Sequence, residues 1–321
     1  MIEVQNLSFM IEVQNLSKAY GSANAVEDIS FSVGKGEILG FLGPNGAGKT
    51  TTMRVLTCFM APTSGTARIA GHDILDNSLE VRRNIGYLPE NAPLYLEMTV
   101  RDYLNHVAAL RGVPKSKRNE RLEAALDAGK IEDRADTIIR KLSKGYRQRV
   151  GLAQAVIHDP PVLILDEPSA GLDPRQRVET RRFIKSLAKE HTIILSTHIL
   201  PDVQETCDRV VIINKGKIVA SDKTENLAAH KGAQRISVTL NHPPQDAAFK
   251  LQNLDGVTAV FPAPLNDAGE STLMVEAEAK TDVREAVARL CVQENWGLLE
   301  LSRARTTLED VFLELTTRDE S

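Results

Sequence analysis

The segment GEILGFLGPNGAGKT, residues 36–50, decides the fold of this chain. Its first half is an apolar run typical of a strand that is buried on both faces. Its second half, from Gly43 to Thr50, matches the phosphate-loop pattern G-x-x-x-x-G-K-[ST], and it follows a strand and opens a helix as that pattern requires. The glycines let backbone N–H groups surround phosphate oxygens, and the helix N-terminus adds positive potential. The segment therefore predicts a nucleotide site in an α/β domain.

Residues of this loop are expected to contact the nucleotide in different ways. In this pattern Lys49 reaches the β- and γ-phosphates, and the Thr50 hydroxyl is the expected Mg²⁺ ligand. The nucleotide-binding residues predicted here are Gly43, Pro44, Asn45, Gly46, Ala47, Gly48, Lys49, Thr50 and Thr51.

A second apolar run, VLILDE at residues 162–167, ends in two carboxylates. Asp166, at the end of the predicted strand, is placed to hold Mg²⁺ directly or through water. Glu167 is then free to accept a proton from an attacking water molecule. Two carboxylates after a strand could instead only cap the following turn, as Pro168 would support. Beside a phosphate loop, the catalytic interpretation is favoured.

The order of predicted elements indicates a nucleotide-binding domain with a helical insertion. From Met10 to about Thr224, short apolar runs alternate with helical stretches, as in an α/β domain. Residues 90–158 lack strand-like runs, and Thr99 and Asp102 have the spacing of a helix N-cap. We therefore predict a nucleotide-binding domain at residues 10–226, whose helical subdomain covers residues 90–158.

The alternation of strand-like and helical segments changes after the polar stretch at residues 223–231. Strands and helices then follow in the order β-α-β-β-α-β, which is typical of a ferredoxin-like domain. A last helix with an apolar stripe is predicted at residues 306–317. We predict a small α+β domain at residues 232–321 and expect it to regulate or to dimerise rather than to catalyse.

The sequence MIEVQNLS occurs twice, at residues 1–8 and again at residues 10–17, with Phe9 between the copies. A period this short, used once, is not a structural repeat. We interpret residues 1–9 as an artefactual duplication of the start of the chain. The alternative is an additional edge strand.

Composition and charge exclude several classes of protein. Among the 321 residues, 39 Lys and Arg against 43 Asp and Glu give a net charge of −4. A nucleic-acid-binding protein would show a strong basic excess, so we expect no nucleic-acid partner. No apolar run reaches the roughly 18–20 residues of a membrane span, and the N-terminus does not have the pattern of a signal peptide. Three scattered cysteines form neither a metal-site nor a disulfide pattern, and we expect a cytoplasmic protein.

Further motifs around the two segments resemble the nucleotide-binding subunits of ABC transporters. LSKGYRQRV at 142–150 is similar to the LSGGQ signature of that family, and SAGLD at 169–173 matches its D-loop. His198 matches the family's switch histidine, and Tyr20 matches the aromatic residue that stacks on adenine. Each motif alone would mean little, but their order and spacing together are specific. The fold class that this resemblance implies is an ABC ATPase domain of the P-loop NTPase class.

The same resemblance implies an ATPase that works as a pair. In this family the phosphate loop of one subunit and the signature of another enclose one ATP molecule. Ser143, Gly145 and Asp173 are therefore expected to contact the nucleotide of a second copy or a close paralogue. The implied catalytic residues are Glu167, His198 and Glu90, and the implied cofactors are ATP and Mg²⁺.

Two further stretches resemble the type-2 exporter group, which includes drug-efflux and gliding-motility members. These stretches are LPENAPLYLEMTV at 88–100 and TTLEDVFLEL at 306–315. The resemblance implies a separate integral-membrane permease and a position on the inner face of the cell membrane. The transported substrate contacts the permease, so it is not encoded in this subunit.

Two residues depart from the family pattern. Glu90 replaces the usual Gln in the loop that senses Mg²⁺ and the γ-phosphate, and an ionised Glu accepts hydrogen bonds but cannot donate them. Glu90 is still expected to contact Mg²⁺ or its water ligands. Lys144 replaces a glycine of the signature at a predicted helix N-terminus, where a positive charge costs about 0.3–1 kcal/mol unless an anion docks there.

Two other functions remain open from the residues alone. One is a soluble ABC ATPase acting on ribosomes or DNA, but neither tandem nucleotide domains nor a long coiled-coil insertion is present in the sequence. The other is a nucleotide-gated regulatory module that does not hydrolyse ATP. The presence of Glu167 and His198 argues against it.

Overall fold

The computed structural model describes residues 9–224, 226, 234–241, 243–262, 271–278, 281–304 and 312. These residues form two compact units, one ending at Thr224 and the other within Glu225–Leu313. Of the predicted artefactual segment at residues 1–9, all but Phe9 lies outside the described residues, and so does the predicted last helix apart from Phe312. Phe9 is the first residue of the first strand.

The first unit contains strands and helices in alternation. Its strands are β1 (Phe9–Tyr20), β2 (Ala23–Gly34), β3 (Ile38–Leu42), β4 (Ser64–Ile69), β5 (His72–Asp73), β6 (Ile85–Leu88), β7 (Val162–Asp166), β8 (Thr192–Thr197), β9 (Arg209–Asn214) and β10 (Lys217–Lys223). Its α-helices are α1 (Lys49–Leu56), α2 (Ser78–Arg83), α3 (Val100–Leu110), α4 (Arg118–Gly129), α5 (Lys144–Val156), α6 (Pro174–Leu187) and α7 (Leu200–Thr206).

A six-stranded sheet with the order β10-β9-β3-β8-β7-β6 forms the centre of this unit. Five of its strands are parallel, and only β10 pairs antiparallel, with β9. Every residue of β7 and β8 is buried, which confirms the strand predicted at the apolar run before Glu167. Because β8 lies between β3 and β7, the loops that follow these three strands meet at one edge of the sheet.

A separate antiparallel sheet with the order β2-β1-β4-β5 packs into the same core. The sequence analysis does not predict this sheet. Its long strand β1 is buried at Ile11, Val13 and Leu16, and the alternation shifts at Asn15, which has a φ of 48°. That irregularity removes the regular period of two by which a half-buried strand is recognised.

The helices α3, α4 and α5 form the predicted helical subdomain around a core of their own. The predicted cap is confirmed, because the Thr99 hydroxyl accepts from the Asp102 amide at 3.1 Å and donates to its carboxylate at 2.8 Å. Among the described residues, none of the helices has the length and apolar character needed to cross a membrane.

The second unit is a four-stranded antiparallel sheet with two helices. Its elements are β11 (Gln234–Leu240), α8 (Ala247–Gln252), β12 (Val257–Pro262), β13 (Ser271–Ala277), α9 (Arg284–Gln293) and β14 (Leu298–Ala304). They follow the predicted order β-α-β-β-α-β, and the sheet order is β12-β13-β11-β14, as in a ferredoxin-like domain. Both helices pack on one face through a buried cluster that includes Leu251, Val287 and Trp296.

A partly buried histidine should make the stability of the first unit depend on pH. Burial lowers the pKa of His158 to about 4, and its Nε2 lies 3.1 Å from the Ile85 carbonyl. As the pH falls below about 6.5, the unfolded chain binds a proton that the folded chain does not bind. We therefore expect the free energy of unfolding to fall by roughly 3 kcal/mol between pH 6.5 and 4.

Urea unfolding across this pH range would measure the effect. His158→Gln retains a donor for the Ile85 carbonyl but does not titrate, so it should flatten this part of the pH profile. An unchanged profile in the variant would contradict the assignment to His158.

Candidate functional site

A pocket of about 390 Å³ lies where the loops after β3, β7 and β8 meet. It is lined by the predicted site residues Asn45, Gly46, Gly48, Lys49, Thr50, Thr51, Glu90, Glu167 and His198, together with Ala25 and Ala170. The order of the strands in the sheet thus brings together residues that lie more than a hundred positions apart in the sequence.

Lys49 is fixed at the base of this pocket. Its side chain is 6% exposed, and Nζ donates to the carbonyls of Gly43 at 2.8 Å and Pro44 at 3.1 Å. The same nitrogen lies 3.4 Å from Oε1 of Glu167. A buried ammonium group with these neighbours is held in place before any phosphate arrives.

Gly48 allows the phosphate loop to close against the neighbouring strand. Its φ is +107°, and a Cβ at this position would lie 2.5 Å from the carbonyl oxygen of Ala25. Only glycine tolerates both the backbone conformation and this approach. The helix α1 then begins at Lys49, so that its first N–H groups face the pocket side of the loop.

Glu167 and His198 are in direct contact. Nδ1 of His198 lies 3.0 Å from Oε1 and 2.9 Å from Oε2 of Glu167. The Glu167 carboxylate is nearly buried, whereas His198 is about half exposed at the pocket surface. Since an ionised carboxylate only accepts, Nδ1 carries the proton and donates to it.

The backbone of Glu167 is held in an unusual conformation. Its φ is +50°, in the left-handed region that non-glycine residues rarely occupy. The Glu167 N–H donates at 3.1 Å both to the carbonyl and to the hydroxyl of Ser196 on β8. These bonds fix the sharp turn after β7 and direct the carboxylate toward Lys49 and His198.

Asp166 presents an oxygen that has no partner. The residue is fully buried, and burial is the main cause that raises the pKa of its carboxyl group. Oδ1 accepts from the Ser196 hydroxyl and, at 3.3 Å, from the Thr50 hydroxyl, while Oδ2 accepts no hydrogen bond. Carboxylate and hydroxyl oxygens are the ligands that Mg²⁺ prefers, so the residues present fit this ion.

The remaining predicted residues do not line the pocket. Tyr20 is half exposed on β1, and its hydroxyl donates to the Met60 sulfur at 3.0 Å. Ser143 caps α5, and Asp173 caps α6 by accepting from the Gln176 amide at 2.8 Å. Gly145 packs so closely on the Gln176 side chain that a Cβ would lie 2.7 Å from it.

Ser196 contributes to the site but was not predicted. It contacts both Asp166 and Glu167 from the neighbouring strand. The available signal was a polar side chain inside the buried run TIILST, where a hydroxyl requires a partner. Ala25 and Ala170 line the pocket without any sequence signal.

A phosphate loop closed around a buried lysine, with carboxylates at the end of a nearby strand, defines the class of P-loop nucleotide-binding proteins. The family model described as ABC transporter matches residues 26–170 of this chain. The chain is 32% identical to daunorubicin resistance ATP-binding protein DrrA3 of Streptomyces coeruleorubidus, over 96% of each chain. The chain belongs to the ABC transporter family, as one of its ATP-binding proteins, and its ABC domain binds a nucleotide.

Two further similarities agree with this assignment. The chain is 32% identical to Nod factor export ATP-binding protein I of Ralstonia nicotianae, over 97% of this chain and 94% of that protein. A solved ATP-binding subunit of an ABC transporter superimposes with a TM-score of 0.64 at 33% identity, over 70% of this chain and 93% of the other.

Proposed function

We propose that this chain hydrolyses ATP to drive export through a separate membrane permease. The observation that carries the proposal is the contact of Glu167 with both Lys49 and His198 inside the nucleotide pocket. Relatives named for drug resistance and Nod factor export support the exporter assignment. The chain would then act on the inner face of the cell membrane, where the permease holds it.

Glu167 is the proposed general base of the reaction. A water molecule beside it gives its proton to the carboxylate as the water oxygen bonds to the γ-phosphorus. The bond from that phosphorus to the oxygen shared with the β-phosphate breaks, and ADP and phosphate result. His198 holds the carboxylate in orientation, and Lys49 offsets negative charge on the phosphates.

Mg²⁺ would be held by Thr50, by Asp166 and, directly or through water, by Glu90 whenever the Glu90 carboxylate points into the nucleotide pocket. The bound ion supplies positive charge against the β- and γ-phosphate oxygens. Tyr20, half exposed at the end of β1, is the proposed stacking surface for adenine.

The proposed activity is tested directly by phosphate release from the purified chain. Release should saturate with ATP, require Mg²⁺ and stop when EDTA is added. A chain that binds ATP with Mg²⁺ but releases no phosphate would contradict hydrolysis and favour a regulatory module.

We further propose that two copies pair to complete each site. Ser143, Gly145 and Asp173 lie away from the pocket of their own chain, at the starts of α5 and α6. The exposed start of α5 offers free N–H groups to an anion, here the γ-phosphate held by the second copy. The second unit of the chain is proposed to regulate or support this pairing.

A cationic groove on the first unit is the proposed contact for the permease. Its volume is about 280 Å³, and its wall includes Arg82, Arg111, Tyr87 and Phe59, with no carboxylate from the part of the chain that the structure describes. Burial lowers the pKa of the Arg111 guanidinium group, and Phe59 is 71% exposed. This combination favours a segment with an acidic side chain and an apolar neighbour, and we assign it to the cytoplasmic face of the permease.

Charge reversal at this groove should uncouple the subunit from its permease. We expect Arg111→Glu to weaken co-purification with the proposed permease about tenfold, because two charges of one sign then face each other. ATP turnover of the isolated chain should stay within about twofold. The control is Arg175→Glu, a reversal at an exposed arginine on α6. Equal losses for both variants would contradict the assigned surface.

A further inference from the structure

Two cavities of the first unit have one wall residue in common. The first is the nucleotide pocket, and the second has a volume of about 440 Å³. We call the second the signature cavity, and the charged or amide side chains on its wall include Glu90, Lys144, Arg147 and Gln148. Glu90 lines both cavities, so its carboxylate is in reach of either one.

The signature cavity has an excess of positive charge. Lys144 and Arg147 both line it, and among the described residues Glu90 is the only carboxylate on its wall. Within the described part of the chain, neither Glu90 nor Lys144 makes an ion pair. Arg147 donates from Nε to the Leu142 carbonyl at 3.1 Å, which orients its guanidinium group.

Gln148 adds a buried donor to the same cavity. The residue is 8% exposed, and its Nε2 makes no hydrogen bond. An unsatisfied buried amide donor is unfavourable, and a carboxylate oxygen is an acceptor that would satisfy it. Three donors from consecutive turns of α5 therefore converge on a site suited to a carboxylate.

Lys144 is placed for this role by the loop before α6. A Cβ on Gly171 would lie 1.9 Å from Nζ of Lys144, so the glycine leaves the space that the lysine occupies. A positive charge in the first turn of α5 is unfavourable by itself, and a docked anion reverses that effect.

We propose that the Glu90 carboxylate docks in the signature cavity, with Lys144, Arg147 and Gln148 as its positioning residues. The proposal rests on the proposed function of the nucleotide pocket. The proposal explains the two departures from the family pattern together. A glutamine at position 90 would have no negative charge to dock, and a glycine at position 144 would have no positive charge to receive it. The Glu90 side chain is exposed, and exposed side chains change rotamer within nanoseconds, so its carboxylate reaches the cavity without movement of the backbone.

Docking reduces the negative charge that the nucleotide meets. An undocked Glu90 carboxylate lines the same pocket as Lys49 and Thr50, where the γ-phosphate is expected to bind. Removal of Lys144 would leave that charge less compensated, and in the absence of Mg²⁺ repulsion would then weaken binding of ATP. The effect must vanish when residue 90 has no charge.

A double-mutant cycle tests the coupling. The affinity for a fluorescent ATP analogue would be measured in EDTA, without Mg²⁺, for the unmodified chain, Glu90→Gln, Lys144→Met and the double variant. We expect Lys144→Met to weaken binding of the analogue 3- to 10-fold when residue 90 is Glu, and by less than twofold when it is Gln. This difference corresponds to a coupling free energy of about 1 kcal/mol between the two residues. Lys144→Arg should retain normal affinity.

Lys141→Met is the matched control, because this exposed lysine lies three positions earlier and outside the cavity. Equal effects of Lys144→Met in both backgrounds would overturn the docking proposal. The affinity measurement does not depend on ATP hydrolysis. A chain that shows the coupling but releases no phosphate would therefore contradict the proposed hydrolysis and leave the docking proposal supported.

Discussion

Replacing Glu167 with Gln is expected to lower ATP turnover by about 10²–10⁴-fold, the usual contribution of a general base. Gln has almost the same size, so it can still accept from His198 and lie beside Lys49. It cannot take a proton from water. Binding of ATP should survive, because Lys49, Thr50 and Asp166 are unchanged.

Unhydrolysed ATP should then hold two copies of the variant together. Size-exclusion chromatography of Glu167→Gln with and without ATP and Mg²⁺ would measure this, alongside phosphate release. The control is Glu37→Gln, which removes another ion-paired carboxylate, 2.7 Å from Arg209 and outside the pocket. Near-normal turnover would remove Glu167 from its assigned role, and a monomer under all conditions would contradict the shared site.

The parts of the fold that the sequence predicts well are those with a continuous local signal. The run VLILD is β7 to the residue, because a strand buried on both faces is apolar throughout. The phosphate loop is equally local, since its glycines and Lys49 act within one turn of chain. The antiparallel sheet around β1 has no such signal, because its irregularity at Asn15 interrupts the alternation.

Contacts between distant segments are the part that the sequence does not specify. Ser196 touches Asp166 and Glu167 only because β8 lies beside β7, and no motif marks it. The sequence shows Glu90 and Lys144 as separate departures from a pattern. Their common cavity depends on how the loop after β6 packs against α5, which is a property of the folded chain.

Replacing Lys49 with Met should abolish turnover and also remove most of the affinity for ATP. Truncating one member of a buried, hydrogen-bonded charge pair costs about 2–5 kcal/mol, which corresponds to roughly 30-fold or more in affinity. Equilibrium binding of a fluorescent ATP analogue would measure the loss. Glu167→Gln loses turnover only, so the two variants separate binding from chemistry.

The Lys49 variant needs a control for stability, because it also leaves Glu167 buried without the ammonium group that lies 3.4 Å away. An uncompensated buried charge destabilises the fold, so thermal unfolding should occur at a lower temperature in Lys49→Met than in the unmodified chain. The double variant Lys49→Met, Glu167→Gln removes that charge and should recover much of the thermal stability. If ATP binding recovered together with stability, Lys49 would be a structural residue. Binding that stays lost in a stable double variant would assign Lys49 to the phosphates.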